Sequence, residues 1–398
     1  MGNPNSNDSG TLPTTPEENE GSIEATGGGG GSYDLENSGG VSRRDFIRGV
    51  AVTTAAASVA TVAMHELDLV KPAHAAEGTI ADTPMATKWW PSRWGKDDMA
   101  GASNWMGPKT TMDAVAQIKT GKVYSLGRVY EYGMPLFGQR AWVLRIPGNP
   151  TGGAYGKNNV IWHDEILTTE IGQVGTQFDG LGHIGARLSG GLSDKSKEVY
   201  YNGITGADLH NAGDGPGSTA GAYGLVKLGV ENVKPFFCRG ILFDVAGLKG
   251  RMLDKGEEIT VKDLKACLDR QGMTERDITE GAMACWRTGW GENLWMKDNA
   301  RFTSGEPGIG IEAANYLVSK GISVGAADVW AIEVVPNPDP NLAFPVHQIF
   351  LTRNGIYILE NIRLDHLAAD KVYKFAFIFS PLPFKGATGS PGNPIAVV

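Results

Sequence analysis

The 398-residue chain lacks most of the patterns that advertise a familiar chemistry. It has three cysteines, Cys238, Cys267 and Cys285, and none belongs to a C-x-x-C pair. A disulfide scaffold and a thiolate metal cage are therefore excluded; buried thiols are expected, with one disulfide left open. Histidine is sparse at seven residues, without an H-E-x-x-H pair, and no G-x-S-x-G elbow occurs. Zincin-type and serine-nucleophile hydrolysis thus lack their residues. No P-loop and no G-x-G-x-x-G after a strand is present, so nucleotide binding has no support. Basic residues form no block, and the net charge of −8 is the wrong sign for a nucleic-acid partner. No apolar run reaches the ~20 residues of a membrane span, which argues against a membrane anchor.

What is present begins with a change of composition. Residues 1–41 are rich in Gly, Ser, Asn, Glu and Thr, with five glycines in a row from Gly27 to Gly31. Such a segment cannot build a core and reads as a disordered low-complexity tail. Residues 42–75 open with SRRDFIRG, continue through a weakly apolar Ala/Thr/Val run and end on the small-residue site Ala73-His74-Ala75. Paired arginines before such a run make a twin-arginine signal peptide, whose machinery exports proteins already folded. A periplasmic or extracellular protein spanning 76–398 is the expectation.

Within 76–398, helices are expected at Thr110–Gly121, Thr260–Gly272, Asn293–Phe302 and Gly308–Gly321, from their caps and apolar spacing. Strands are expected at Lys122–Leu126, Ala141–Ile146, Val160–Ile166, Gly240–Val245, Ala282–Arg287, Val329–Val335, Gly355–Asn361 and Val372–Phe379. The elements intermix without a regular βαβ rhythm. The fold class is accordingly α/β or mixed α+β with a mixed sheet.

The polar residues concentrate in two places. GTQFDGLGH, Gly175 to His183, puts Gln177, Asp179 and His183 within seven residues. On an extended segment Gln177 and Asp179 share a face while Phe178 points to the core. Gly180 and Gly182 would let the chain bend so that His183 returns to that face. A polar turn and a metal site both remain open on this stretch alone. The second place is HQIFLTRNGIYILENI, His347 to Ile362, where Glu360 interrupts a buried-strand pattern. A carboxylate there has to be paired or coordinated, or else lie in water at the strand end.

Taken together these stretches resemble the cyclase family of metal-dependent hydrolases, which includes kynurenine formamidase and isatin hydrolase. The family motif HxGTHxDxxxH aligns with QVGTQFDGLGH, Gln173 to His183. WGKDDMAGASNW, RTGW, EPGIGIEAANYLVSKGISVGAADVWAIE and HQIFLTRNGIYILENIRLDHL are similar in order and spacing. The resemblance implies a single swivelling β/β/α-type domain with a mixed sheet. It makes Asp179, His347 and Glu360 metal ligands and His183 the catalytic histidine. Glutamines stand at both positions where the motif has ligand histidines, Gln173 and Gln177. Gln177 is retained as a metal ligand, and two neutral amides in place of two imidazoles favour a single harder ion, Mn²⁺ over Zn²⁺.

The implied reaction is hydrolysis of an amide, imide, lactone or ester bond in a small cyclic or aromatic substrate, with His183 as general base. A ligand role for His183 stays open. Substrate contacts are assigned to Gln173, His163, Trp89, Trp90 and Trp94; the tryptophans would serve equally to cap the core or meet a partner in a homo-oligomer. An arylformamidase of the kynurenine formamidase type is the alternative activity, and a periplasmic binding protein without turnover is the alternative class. The export reading has its own check. Replacing Arg43 and Arg44 by lysine is expected to leave full-length precursor in the cytoplasm, scored by fractionation; normal export of that variant would refute it.

Overall fold

The computed structural model describes Ile80 and residues 83–189, 194–209 and 224–398. The segments expected as tail, 1–41, and signal, 42–75, lie outside the described residues. A nine-stranded mixed sheet forms the centre. Its order is Val123–Ser125, Ile395–Val397, Lys374–Phe379, Phe236–Phe243, Met283–Trp286, Val324–Ala327, Tyr357–Glu360, Gln177–Asp179 and Gly389–Pro391. The four strands from Phe236–Phe243 to Tyr357–Glu360 run parallel. The strands flanking them on both sides are antiparallel to their neighbours.

Parallel strands need cover on both faces, and these read accordingly: MACW, VGAA and YILE are buried at every position. Helices Pro108–Val115 and Val261–Arg270 pack on the Phe236–Phe243 strand, and Ile311–Ser319 packs on Val261–Arg270. The Val261–Arg270 helix starts where its cap dictates. Thr260 accepts from the Asp263 amide and Asp263 accepts from the Thr260 amide, a reciprocal box that satisfies two orphan donors. Leu264, Cys267 and Leu268 form its buried stripe. All three cysteines are buried free thiols. Among the described residues, no helix is long and apolar enough to cross a membrane.

Three expected elements come out differently. Val329–Val335 is buried but is not a strand; the sheet strand is Val324–Ala327. The amides of Trp330 and Ala331 donate to the Glu306 carboxylate at 2.8 and 2.9 Å instead of to a neighbouring strand, and Ile332 turns the chain at φ 54°. Asn293–Phe302 splits into Trp290–Leu294 and Asn299–Thr303, because Met296 adopts φ 61° and Asp298 caps a new helix. Gly308–Ile309 pairs as a short strand with Glu258–Ile259, which delays the next helix to Ile311. Ala141–Ile146 and Val160–Ile166 are found as parts of two ribbons outside the main sheet, Trp142–Arg145 with Ile166–Thr169 and Gly152–Tyr155 with Val160–Trp162.

Phe178 anchors the edge of the sheet that matters most below. It is fully buried, with the rings of Tyr357, Phe379 and Phe236 centred 5.0, 5.2 and 5.9 Å away. Phe178→Ala is expected to destabilise the fold by about 3–5 kcal/mol, the range for a truncated core aromatic, read as a lower denaturant midpoint. A loss below about 1 kcal/mol would mean that the strand is not held by this face.

Candidate metal centre

Sheet register assembles the site. Antiparallel pairing sets Gln177 opposite Glu360, Asp179 opposite Ile358 and Phe178 opposite Leu359. Side chains alternate along a strand, so Gln177, Asp179 and Glu360 share one face while Phe178 and Leu359 share the other. His347 arrives from the helical turn Pro345–His347, which continues as a π-helical segment, Gln348–Asn354. π-Helical turns are frequent at functional sites because they redirect a side chain without ending the helix.

One ligand-capable atom each from Asp179, His347 and Glu360 lies within 4.8 Å of the others. His347 Nε2 is 3.2 Å from Glu360 Oε1 and 3.7 Å from Asp179 Oδ2. All three residues are buried, Asp179 completely, and its Oδ2 has no hydrogen-bond partner. A buried carboxylate oxygen without a hydrogen-bond donor is unfavourable. Glu333 fixes the histidine: its Oε1 lies 2.5 Å from His347 Nδ1 and also accepts the His347 amide at 3.0 Å. That contact leaves Nε2 to face the two carboxylates, the arrangement of a carboxylate-oriented metal histidine.

Burial and crowding of carboxylates shift the titration of the site. Burial pushes the Glu360 carboxyl up to about 8, with the neighbouring Asp179 adding to the rise. Burial and then Glu360 raise Glu306 well above the usual carboxylate range, against the two amides it accepts. For His347 burial opposes the charged form, but hydrogen bonds to Glu333 and Glu360 prevail and hold its pKa well above the ordinary value. Both carboxyl shifts follow first from burial, and that of Glu360 next from the Asp179 charge. Two carboxylates and an imidazole around one unsatisfied oxygen fit a divalent cation.

The glutamines hold the carboxylates. Gln177 donates to Glu360 Oε2 at 2.5 Å, and Gln173 donates to Asp179 Oδ1 at 3.0 Å while its own oxygen accepts from Arg140 Nη2 at 3.3 Å. In this arrangement Gln177 orients a candidate ligand through its amide nitrogen. His183 Nε2 stands 3.9 Å from Asp179 Oδ2 with 23% of its side chain exposed, at the rim. Burial lowers its pKa, with the Asp179 charge opposing, so the imidazole is neutral near pH 7 and free to accept a proton. Gly180 and Gly182 serve by size rather than by bending: a Cβ would meet Thr388 O at 2.9 Å and Leu225 Cδ1 at 2.4 Å. The left-handed glycine of the stretch is Gly175, at φ 60° against the Tyr130 ring.

The remaining expected contacts fall elsewhere. His163 is exposed on the ribbons and pairs with Asn149. Trp89 donates to the Tyr200 carbonyl, Trp90 lies against Gly203, and Trp94 packs edge-on to Trp105. Trp89 and Trp90 brace the Tyr200–Gly203 turn. The aromatic wall beside the site comes instead from Phe137 stacked on Trp330 at 4.4 Å and from Phe344, whose ring centre is 5.6 Å from that of His347. A narrow crevice lined by Phe137, Arg140, Gln173, Gln177 and Trp330 opens there.

Comparison with known proteins identifies the family. Residues 110–334 match the Cyclase family model, and the chain belongs to that family. A crystal structure of a novel cyclase superposes with a TM-score of 0.64 at 31% identity, covering 77% of this chain and 96% of that one. Kynurenine formamidases of Bacillus cereus (strain ATCC 14579) and Bacillus thuringiensis (strain Al Hakam) are each 40% identical over 85 residues, 21% of this chain. The chain spans 37% of the length of these curated relatives.

Glu333 and Glu306 are the functional candidates that motif reading passes over. The signal was available: Glu333 sits in VWAIEVV, as apolar a setting as the one that marks Glu360. Glu333→Gln is expected to keep the fold and weaken divalent-metal binding by about 10–100-fold, the usual cost of losing a histidine's carboxylate partner. Calorimetric titration of metal-stripped protein measures it; unchanged affinity would remove Glu333 from this role.

Proposed function

We propose that the chain is a metal-dependent hydrolase that opens the C–N or C–O bond of a small cyclic or aromatic amide, imide, lactone or ester. The observation that carries this reading is the completely buried, unpartnered Asp179 Oδ2 facing His347 Nε2 and Glu360 Oε1. Asp179, His347 and Glu360 would hold the ion, and Gln177 and Gln173 would keep the two carboxylates aimed. A divalent ion bound there supplies Lewis-acid polarisation of a carbonyl and a more acidic water.

The chain's own residues do the rest. His183, neutral at the rim, takes the proton from the attacking water and returns it to the leaving nitrogen or oxygen. Phe137, Trp330 and Phe344 flank the site with flat apolar surface suited to a ring. The names of the kynurenine formamidase relatives support an amide at the amide–ester end of this range. Two oxygen ligands and one nitrogen, with amides rather than imidazoles next to them, favour one Mn²⁺ over a zinc pair. Twin-arginine export of the folded, loaded protein would fix that choice in the cytoplasm and deliver the activity to the periplasm or beyond.

Elemental analysis of protein purified without added metal or chelator is expected to find one Mn²⁺-type ion per chain; two zinc ions would overturn both count and identity. His183→Ala is expected to retain that ion and lose at least ~10²-fold in turnover on a panel of amides, imides and lactones. If it purifies metal-free, His183 is a ligand. Ligand-induced thermal shifts without turnover by the wild type would identify a binding protein.

A further inference from the structure

We infer that the substrate carries a carboxylate beyond the bond that is cleaved, and that Arg140 binds it. This rests on the hydrolase reading above and narrows it to anionic ring compounds. Arg140 stands half-buried on the crevice beside the candidate metal centre, between Phe137 and Gln173. A guanidinium offers five N–H donors. Among the described residues, Arg140 makes one side-chain hydrogen bond, to Gln173 Oε1 at 3.3 Å, and no ion pair. Arg287, just past a strand of the same sheet, shows the satisfied alternative: Asp244 at 2.7 Å and Glu292 at 2.6 Å neutralise it. Arg140 keeps its charge and most of its donors for something else.

A solvated surface arginine also goes unpaired, but two observations place Arg140 in a ligand site. The first is its position. Gln173 bridges it to Asp179, donating to Oδ1 at 3.0 Å, so the guanidinium stands one side chain out from a candidate metal ligand. The second is another unmet polar group on the same crevice. Asn361 lines it; its amide nitrogen donates to the Gly175 carbonyl at 2.8 Å, and its Oδ1 is buried without a donor. A packed interior satisfies such atoms. An unused cation and an unused acceptor along one crevice are the pattern of a polar ligand site.

An aromatic track joins this cation to the metal centre. Arg140 lies 5.6 Å from the Phe137 ring centre, and Phe137 stacks on Trp330 at 4.4 Å. Trp330 meets Phe344 at 6.3 Å, and Phe344 meets His347 at 5.6 Å. A ring laid along the track presents its reacting carbonyl to the His347 and His183 end and its carboxylate to Arg140. That carboxylate is distinct from the one hydrolysis releases, which forms at the other end. Shape and charge select a carboxylate over a phosphate. The crevice is narrow, and a carboxylate is planar and matches the guanidinium fork. A tetrahedral dianion would bring two charges toward Asp179 and Glu360 against a single cation.

The test compares ortho, meta and para formamidobenzoates with the matching formamidobenzonitriles, in which a neutral group replaces the carboxylate. On the metal-loaded wild type, the best formamidobenzoate is expected to exceed its nitrile about 10–100-fold in kcat/KM, the scale of a hydrogen bond to a charged group. Arg140→Gln is expected to bring that ratio to about one or below, with the loss falling mainly on KM, and Arg140→Lys to restore part of it. If Arg140 served only to hold Gln173, acid and nitrile would lose alike and the ratio would stand. That result, or a wild type without preference for the acids, overturns the inference. If no member of the panel is turned over, the hydrolase reading fails for these amides, and binding decides the inference separately. In calorimetric titrations benzoate is then expected to bind at least ~10-fold tighter than benzamide to the wild type and not to Arg140→Gln. Equal affinities in the wild type, or a preference that survives in the variant, would overturn it there as well.

Discussion

Asp179 Oδ2 is the constraint around which this molecule is organised. A carboxylate oxygen with no solvent and no donor is unfavourable, and the fold does not relieve it with a nearby hydroxyl or amide. It surrounds the oxygen with a second carboxylate and an imidazole instead. Phe178 on the reverse face locks the strand that carries Asp179, and the Tyr357–Glu360 strand fixes the opposite ligand by register. Further out, Glu333 sets the imidazole and Glu306 gathers the backbone that delivers Glu333. Each shell braces the one inside it, and Asp179 Oδ2 is left without a hydrogen-bond donor.

The glutamines at 173 and 177 gain their meaning from that arrangement. Imidazoles there would add nitrogen donors, and a second ion would find ligands. Amides contribute neutral hydrogen bonds to the two carboxylates, which restricts rotation without adding charge. Gln173 also links the site to Arg140, a cation that opposes the crowding of negative charge around Glu360. The donor set this leaves, two carboxylates and one imidazole, fits a divalent cation.

Much of this was legible in the sequence, and the failures share a cause. Alternation in QFD predicted that Gln177 and Asp179 share a face, and the apolar neighbours of Glu360 predicted a compensated carboxylate. The mixed sheet, the capped helix after Thr260 and most strand positions followed from local pattern. Val329–Val335 did not, because burial and β-branching are the same whether amides bond to a strand or to a carboxylate such as Glu306. Glu333 escaped notice because its partner, the ring of His347, is fourteen residues away and meets it only through a turn at Ile332. The tryptophans at 89, 90 and 94 were read as pocket walls or equally as packing; Trp89 and Trp90 lie at the Tyr200–Gly203 turn, whereas Phe137, Trp330 and Phe344 are the aromatic side chains beside His347. Composition identifies which side chains seek a flat apolar neighbour, and topology decides where they find one.

The ribbon strand Val160–Trp162 shows the same limit of local pattern. Val160, Ile161 and Trp162 form a run that asks for burial as plainly as Tyr357, Ile358 and Leu359 do. The second run finds it between a parallel neighbour and the Gln177–Asp179 strand. The first pairs only with Gly152–Tyr155, whose glycines and exposed tyrosine offer little surface in return. Hydrophobic pattern states that apolar area must leave water, and it is silent on whether the cover lies in the same chain.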